Sequence, residues 1–182
     1  MYSSATPKTA LLQNGGFESP PSNIKLNSSN PLSKNNTMPG WSFNGTVYYV
    51  SAGPNLSLPD NGHAVQLGVN GTISQTFKLT SMASQYILMF SLAPISKNCT
   101  ALTALKVSLQ SEEITVFVFE GKYGRRSWET HACDLGSWGG EGDHLVLELQ
   151  SQVMENDPKV LCGPVVDTVI LKRFDGTNGY GM

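Results

Sequence analysis

Asp167 sits in the middle of Cys162-Gly163-Pro164-Val165-Val166-Asp167-Thr168-Val169-Ile170-Leu171, a run otherwise dominated by β-branched and aliphatic residues. A carboxylate in a buried strand is costly unless something pairs with it or hydrogen-bonds it. Two partners satisfy that chemistry: a cation, or the backbone N–H groups of a nearby turn. The three histidines offer less. His63 opens an alternating segment, His131 lies in "WETHACD", and only His144, in "GEGDH", stands beside acids. Neither a second ligand cluster nor a nucleophile motif supports it, so no catalytic residue is assigned and the chain is read as a non-enzyme. The Gly-rich "GSWGGEGD" lacks the Lys and the strand-to-helix context of a phosphate loop.

Sugar recognition asks for flat apolar rings beside fixed polar groups. "LGSWGGEG" sets Trp138 among glycines and predicts an exposed ring in a loop, while "GKYGRRSW" puts Tyr123, Arg125 and Arg126 in a second loop. If the two loops share one end of the fold, they line a shallow cleft whose guanidinium groups pair with uronate carboxylates, as in pectin. The bland alternative is that these four are scattered surface residues. Trp41, in "MPGWSF", is read as core. Three cysteines, Cys99, Cys133 and Cys162, have no C-x-x-C spacing, which argues against zinc. Two of them can bridge in an oxidising compartment, and spacing alone does not choose the pair.

The elements that must position these residues are short and extended. The 182 residues suggest one domain with enough length for a core. A charged fraction of 14% and a net charge of −2 offer no basic footprint for nucleic acid. No window approaches a membrane span. Turn residues are abundant and helical periodicity is almost absent. Strands are predicted at 46–51, 63–68, 71–77, 85–93, 105–110, 113–120, 127–133, 144–150 and 164–173, with hairpins across Asn70-Gly71 and Ser111-Glu112. In "LKVSLQ", Leu105, Val107 and Leu109 point inward, and Lys106, Ser108 and Gln110 outward. Residues 1–10 and 175–182 read as polar tails around a domain at 11–174. The set fits an all-β, two-sheet sandwich of jelly-roll type.

Six Asn-x-Ser/Thr sites occur, at Asn27, Asn35, Asn44, Asn55, Asn70 and Asn98. Composition alone predicts roughly 2.4. The excess points to a glycosylated, secreted protein. "MYSSATPKTA" lacks the charged start and apolar core of a leader, so Met1 is expected to head a trimmed chain.

Four stretches, "LLQNGGFESPP", "MPGWSFNGTVYYV", "LPDNGHAVQLGVNGTISQTF" and "LCGPVVDTVILK", taken in this order, resemble the plant cell-wall family called domain of unknown function 642. "YILMFSLAPISKNCT" extends the match, which covers roughly residues 11–174. The resemblance implies a galactose-binding-like jelly roll in a secreted wall protein without established catalysis. It implies two roles: binding a wall polysaccharide, or an interaction with a wall-modifying enzyme such as a pectin methylesterase. The family's members usually carry two tandem copies, where one is present here. Its cysteines match Cys99 and Cys162, which implies that these two pair; Cys133 has no counterpart there. Related modules with the same Asn-Gly-x-Phe-Glu opening hold a structural Ca2+, and the carried-over ligands are Glu18 and Asp167 with backbone carbonyls near Gly15, Gly16 and Glu18. The competing reading keeps Glu18 exposed and gives Asp167 the backbone N–H donors of the N-terminal turn.

Overall fold

The computed structural model describes residues 10–25, 29–54, 56–59, 62–95, 102–120, 128–153 and 162–174. Among these residues eleven strands run in chain order: β1 (Asn30–Pro31), β2 (Ser42–Asn44), β3 (Val47–Ser51), β4 (His63–Leu67), β5 (Thr72–Lys78), β6 (Ser84–Ala93), β7 (Leu102–Leu109), β8 (Glu112–Glu120), β9 (Glu129–Trp138), β10 (His144–Val153) and β11 (Val165–Phe174). They build two antiparallel sheets, a six-stranded β1-β3-β4-β11-β6-β9 and a five-stranded β2-β5-β10-β7-β8. No helix occurs among the described residues, and none there is long and apolar enough to cross a membrane. This is the two-sheet jelly-roll sandwich that the turn-rich, alternating sequence predicts.

Alternation decides which residues meet between the sheets. In β5, Ile73 and Phe77 are buried while Thr76 and Lys78 are exposed. In β10, Leu145, Leu147 and Leu149 point inward, and in β7 Leu105, Val107 and Leu109 do the same. They face Tyr86, Leu88, Phe90 and Leu92 of β6 across the main core. Burying such side chains stabilises by roughly 1.5–3 kcal/mol each, before the entropy cost of ordering the chain. A second, smaller core lies outside the six-stranded sheet. There Leu56 and Leu58 cover Val50, Ala64, Ala93 and Val165.

Two strands escape a sequence reading. β1 and β2 have two and three residues, too few to show a period. β9 also runs on to Trp138, past a register shift opposite Tyr86 and Ile87. The β7–β8 turn is Gln110-Ser111, both with positive φ (51° and 65°), one residue earlier than predicted. That is the backbone of a tight hairpin, made here without the usual Asn or Gly.

Candidate functional site

The opening acid has its answer in a bulge. Asp167 is buried (4% exposed), and β11 slips its register against β6 between Asp167 and Ile170. Thr168 takes φ 51°, a left-handed conformation unfavourable for a β-branched residue. Its N–H donates to Asp167 Oδ1 at 2.6 Å. The carboxylate therefore accepts a backbone donor at the residue that carries the strain. Past the bulge, Val169 N–H donates to Gly15 O at 2.8 Å, which ties the last strand to the first turn.

That turn is bonded to both sheets. Gln75 of β5, buried and facing inward, mimics a peptide: its Oε1 accepts from Gln13 N (2.6 Å) and its Nε2 donates to Gln13 O (2.9 Å). Trp41 Nε1 donates to Asn14 O (3.0 Å) and the Tyr49 hydroxyl to Phe17 O (2.6 Å). Phe17, fully buried, meets Trp41 at 5.5 Å between ring centroids. Glu18 reaches β4, where Oε1 accepts from His63 N–H (2.8 Å) and Oε2 lies 2.9 Å from His63 Nδ1. Gly62 makes room for it, since a Cβ there would lie 2.0 Å from Glu18 Oε1. The His63 ring stacks on Tyr49 at 5.2 Å. Burial first, and the Glu18 charge second, push the Tyr49 phenol well above its ordinary pKa.

These contacts bear on the calcium expectation. Glu18 is held by His63, and the carbonyls of Asn14, Gly15 and Phe17 already accept protein donors. Among the described residues no three of His, Cys, Asp and Glu come together. A cation held by Glu18 and Asp167 would have to compete with these hydrogen bonds, and with the one Asp167 Oδ1 accepts from Thr168 N–H.

Of the four residues expected to line a cleft, only Trp138 lies among the described residues. Trp138 ends β9 instead of standing in a loop; it is half-buried against the core, and its Nε1 donates to Leu135 O at 2.6 Å. Tyr123, Arg125 and Arg126 lie outside the described residues. The chain re-enters at Trp128 and starts β9 at Glu129, whereas Trp138 is at the far end of that ten-residue strand, about 30 Å away. The exposed tryptophan is Trp128 (39%), while Trp41 is buried (4%). Polar Gly-rich surroundings misled for Trp138, because a bulge with φ +86° at Gly136 turns the ring onto the core.

The outer face of the five-stranded sheet gathers polar groups on adjacent strands. Phe43, Ile73, Leu147, Leu149, Leu105 and Val107 face the core, so their strand neighbours face out. Register then places two rows side by side. One reads Thr72–Gln150–Lys106–Val116 and the other Ser74–Glu148–Ser108–Glu113. Neighbours in a row are about 5 Å apart, and rows about 7 Å apart. Small Ala104 and Ser108 of β7 are nearly buried (0% and 5%). They lie between longer side chains, Gln152 and Glu148 of β10 on one side and Val118 and Glu113 of β8 on the other. The result is a shallow trough bearing an amine, two carboxylates, amides and hydroxyls on a rigid floor. Sequence alternation already pointed Lys106 and Ser108 outward; the partnering of β7 with β10 and β5 could not be read from it.

Of the sequon residues, Asn35, Asn44 and Asn70 are exposed, while Asn27, Asn55 and Asn98 lie outside the described residues. Cys133 is a free thiol on β9, its pKa pushed up to about 11 by burial and then by the Asp134 charge. Cys99 lies outside the described residues.

The fold defines a two-sheet antiparallel jelly-roll domain, and similarity places it more closely. The chain belongs to the family described as a protein of unknown function, DUF642, whose model matches residues 10–172. The Arabidopsis thaliana protein TEEBE is 30% identical over 176 residues, covering 90% of this chain and 43% of TEEBE. The chain thus spans under half the length of that relative. Among solved structures, a family 61 carbohydrate-binding module in complex with β-1,4-galactotriose superposes with a TM-score of 0.55, at 19% identity over 90% of this chain and 98% of the module. A Stig cyclase from Fischerella sp. TAU reaches 0.60 at 13% identity, over 90% and 96%. Binding modules and an enzyme share this fold, so fold alone does not decide between binding and catalysis.

Proposed function

We propose that this domain is a non-catalytic glycan-binding module that uses the outer face of the five-stranded sheet. The observation that carries the reading is the pair of polar rows. They align Gln150 and Lys106, and Glu148 and Ser108, on adjacent strands at spacings comparable to a sugar ring. The rows stand on a paired backbone that is ordered before the ligand arrives, which lowers the entropy cost of binding. Hydroxyls, amides and carboxylates together donate to and accept from sugar hydroxyls. Glu113 and Glu148 flank Lys106 on either side, and they favour neutral sugars over polyuronates by like-charge repulsion.

Secretion to the cell wall is part of the same proposal. Six sequons support it, and the free state of Cys133 leaves Cys99 and Cys162 to pair with each other. Peptide mapping under non-reducing conditions tests the pairing; recovery of Cys99 and Cys162 as free thiols from the secreted protein counts against it.

A glycan array followed by titration calorimetry tests the binding role. Gln150→Ala and Glu148→Ala are expected to weaken a hit about tenfold each, a loss of roughly 1.4 kcal/mol, without lowering the melting temperature. No hit among wall glycans, or hits unaffected by both variants, would overturn the assignment of this face.

A further inference from the structure

The outer face of the six-stranded sheet is covered on one half and bare on the other. Leu56 and Leu58 cover Val50, Ala64, Ala93 and Val165. Beyond the Asp167 bulge, nothing among the described residues covers the same face. Val169 and Leu171 of β11, Leu88 and Phe90 of β6, and Cys133 and Leu135 of β9 face the core, so the alternate residues face out. Register sets them in three rows: Ile170–Met89–Ala132, Lys172–Ile87–Asp134 and Phe174–Gln85–Ser137. Ile170 and Phe174 are 42% and 50% exposed.

We infer that this bare face pairs with the same face of a second copy of the chain, about a two-fold axis running along β6. The charges carry the inference. The middle row has Lys172 at one end, Asp134 at the other and Ile87 between them. A rotation about β6 brings β11 of one copy over β9 of the other. Lys172 then meets Asp134 of the second copy, and the reverse pair forms by symmetry. The same rotation sets Ile87 on Ile87, Met89 on Met89, and Ile170 over Ala132. Such self-complementarity is what an isologous contact requires, and near-parallel strands match the aligned packing of two sheets. The described sequons leave this face clear, since Asn44 lies on β2, Asn70 between β4 and β5, and Asn35 just after β1. All three are at the opposite side of the sandwich from β9. The bare rows cover roughly 250 Å² of sheet, well below the ~800 Å² per partner of a standard interface. The dimer is therefore concentration-dependent, not permanent.

Sedimentation velocity of the whole chain over a concentration series tests it. The wild type is expected to shift from monomer to dimer as concentration rises. Ile170→Glu and Lys172→Glu, both at exposed positions that leave the core intact, are each expected to raise the dissociation constant about tenfold or more. Adding Asp134→Lys to Lys172→Glu restores the swapped pair and recovers the dimer, whereas Thr76→Glu on the other sheet changes nothing. A monomer at every concentration, or dimers unaffected by Ile170→Glu and Lys172→Glu, would overturn the inference.

Discussion

Val169 N–H donates to the carbonyl of Gly15 at 2.8 Å, so the last strand of the sandwich is bonded to its first turn through the backbone. The approach is close enough that a Cβ on Gly15 would lie 2.0 Å from Val169 O. Gly15→Ala must therefore push the turn off the strand. A loss of about 2–3 kcal/mol is expected, read as a lower urea midpoint with unchanged slope. An unaltered midpoint would show that the turn is free to move.

Glu18 already has His63 N–H and Nδ1 as partners. Adding Ca2+ after EDTA treatment is therefore expected to leave the melting temperature where it was. Glu18→Ala, which strands the His63 N–H, should cost about 1 kcal/mol with or without the ion. A rise of several degrees on adding Ca2+ to the wild type alone would mean that the cation displaces His63, contrary to this account. Thermal melts with and without Ca2+ decide it.

The Cys133 thiol is raised from an ordinary value of 9.0 to about 11, by burial and then by Asp134. In the unfolded chain it ionises first. Between those two values the folded state binds more protons than the unfolded state, so this group's contribution to stability is intact below pH 9.0 and falls as pH rises toward about 11. Alkylation should be slow at neutral pH and accelerate through the same window, because the thiolate is the nucleophile. Cys133→Ser is expected to flatten the stability loss there. Rapid alkylation of the native protein at pH 7 would contradict the burial.

The two tryptophans of β9 and its approach should behave oppositely. Trp138, packed on the core with its N–H on Leu135 O, should lose about 1–2 kcal/mol on truncation to Ala, less than a fully buried ring. Trp128, 39% exposed, should stay within about 0.5 kcal/mol. Equal costs in chemical denaturation would refute the placement of both rings.

Much of the strand pattern was legible because two-residue periodicity is local: "LKVSLQ" and "HLVLELQ" declare their inward faces without knowing their partners. The candidate site was far less legible. Trp138 looked exposed because its neighbours are glycines, yet one bulge at Gly136 aims it at the core. Trp128 carried no distinguishing signal beside "GRRS". That His63, 45 residues from Glu18, supplies its hydrogen bonds was not legible from spacing.

By itself, then, the order of residues determined the all-β class, the inward and outward side of most strands, the sequons and the oddity of a buried Asp167. Each of these depends on neighbours within a few positions along the chain. Tertiary structure alone decided what Asp167 and Glu18 bond to, which strands lie together to make a polar trough on one sheet, and which apolar side chains of the other stay uncovered. Those outcomes depend on pairings between β-strands distant in sequence, whose contacts are set by loop closure and register and not by any short-range period.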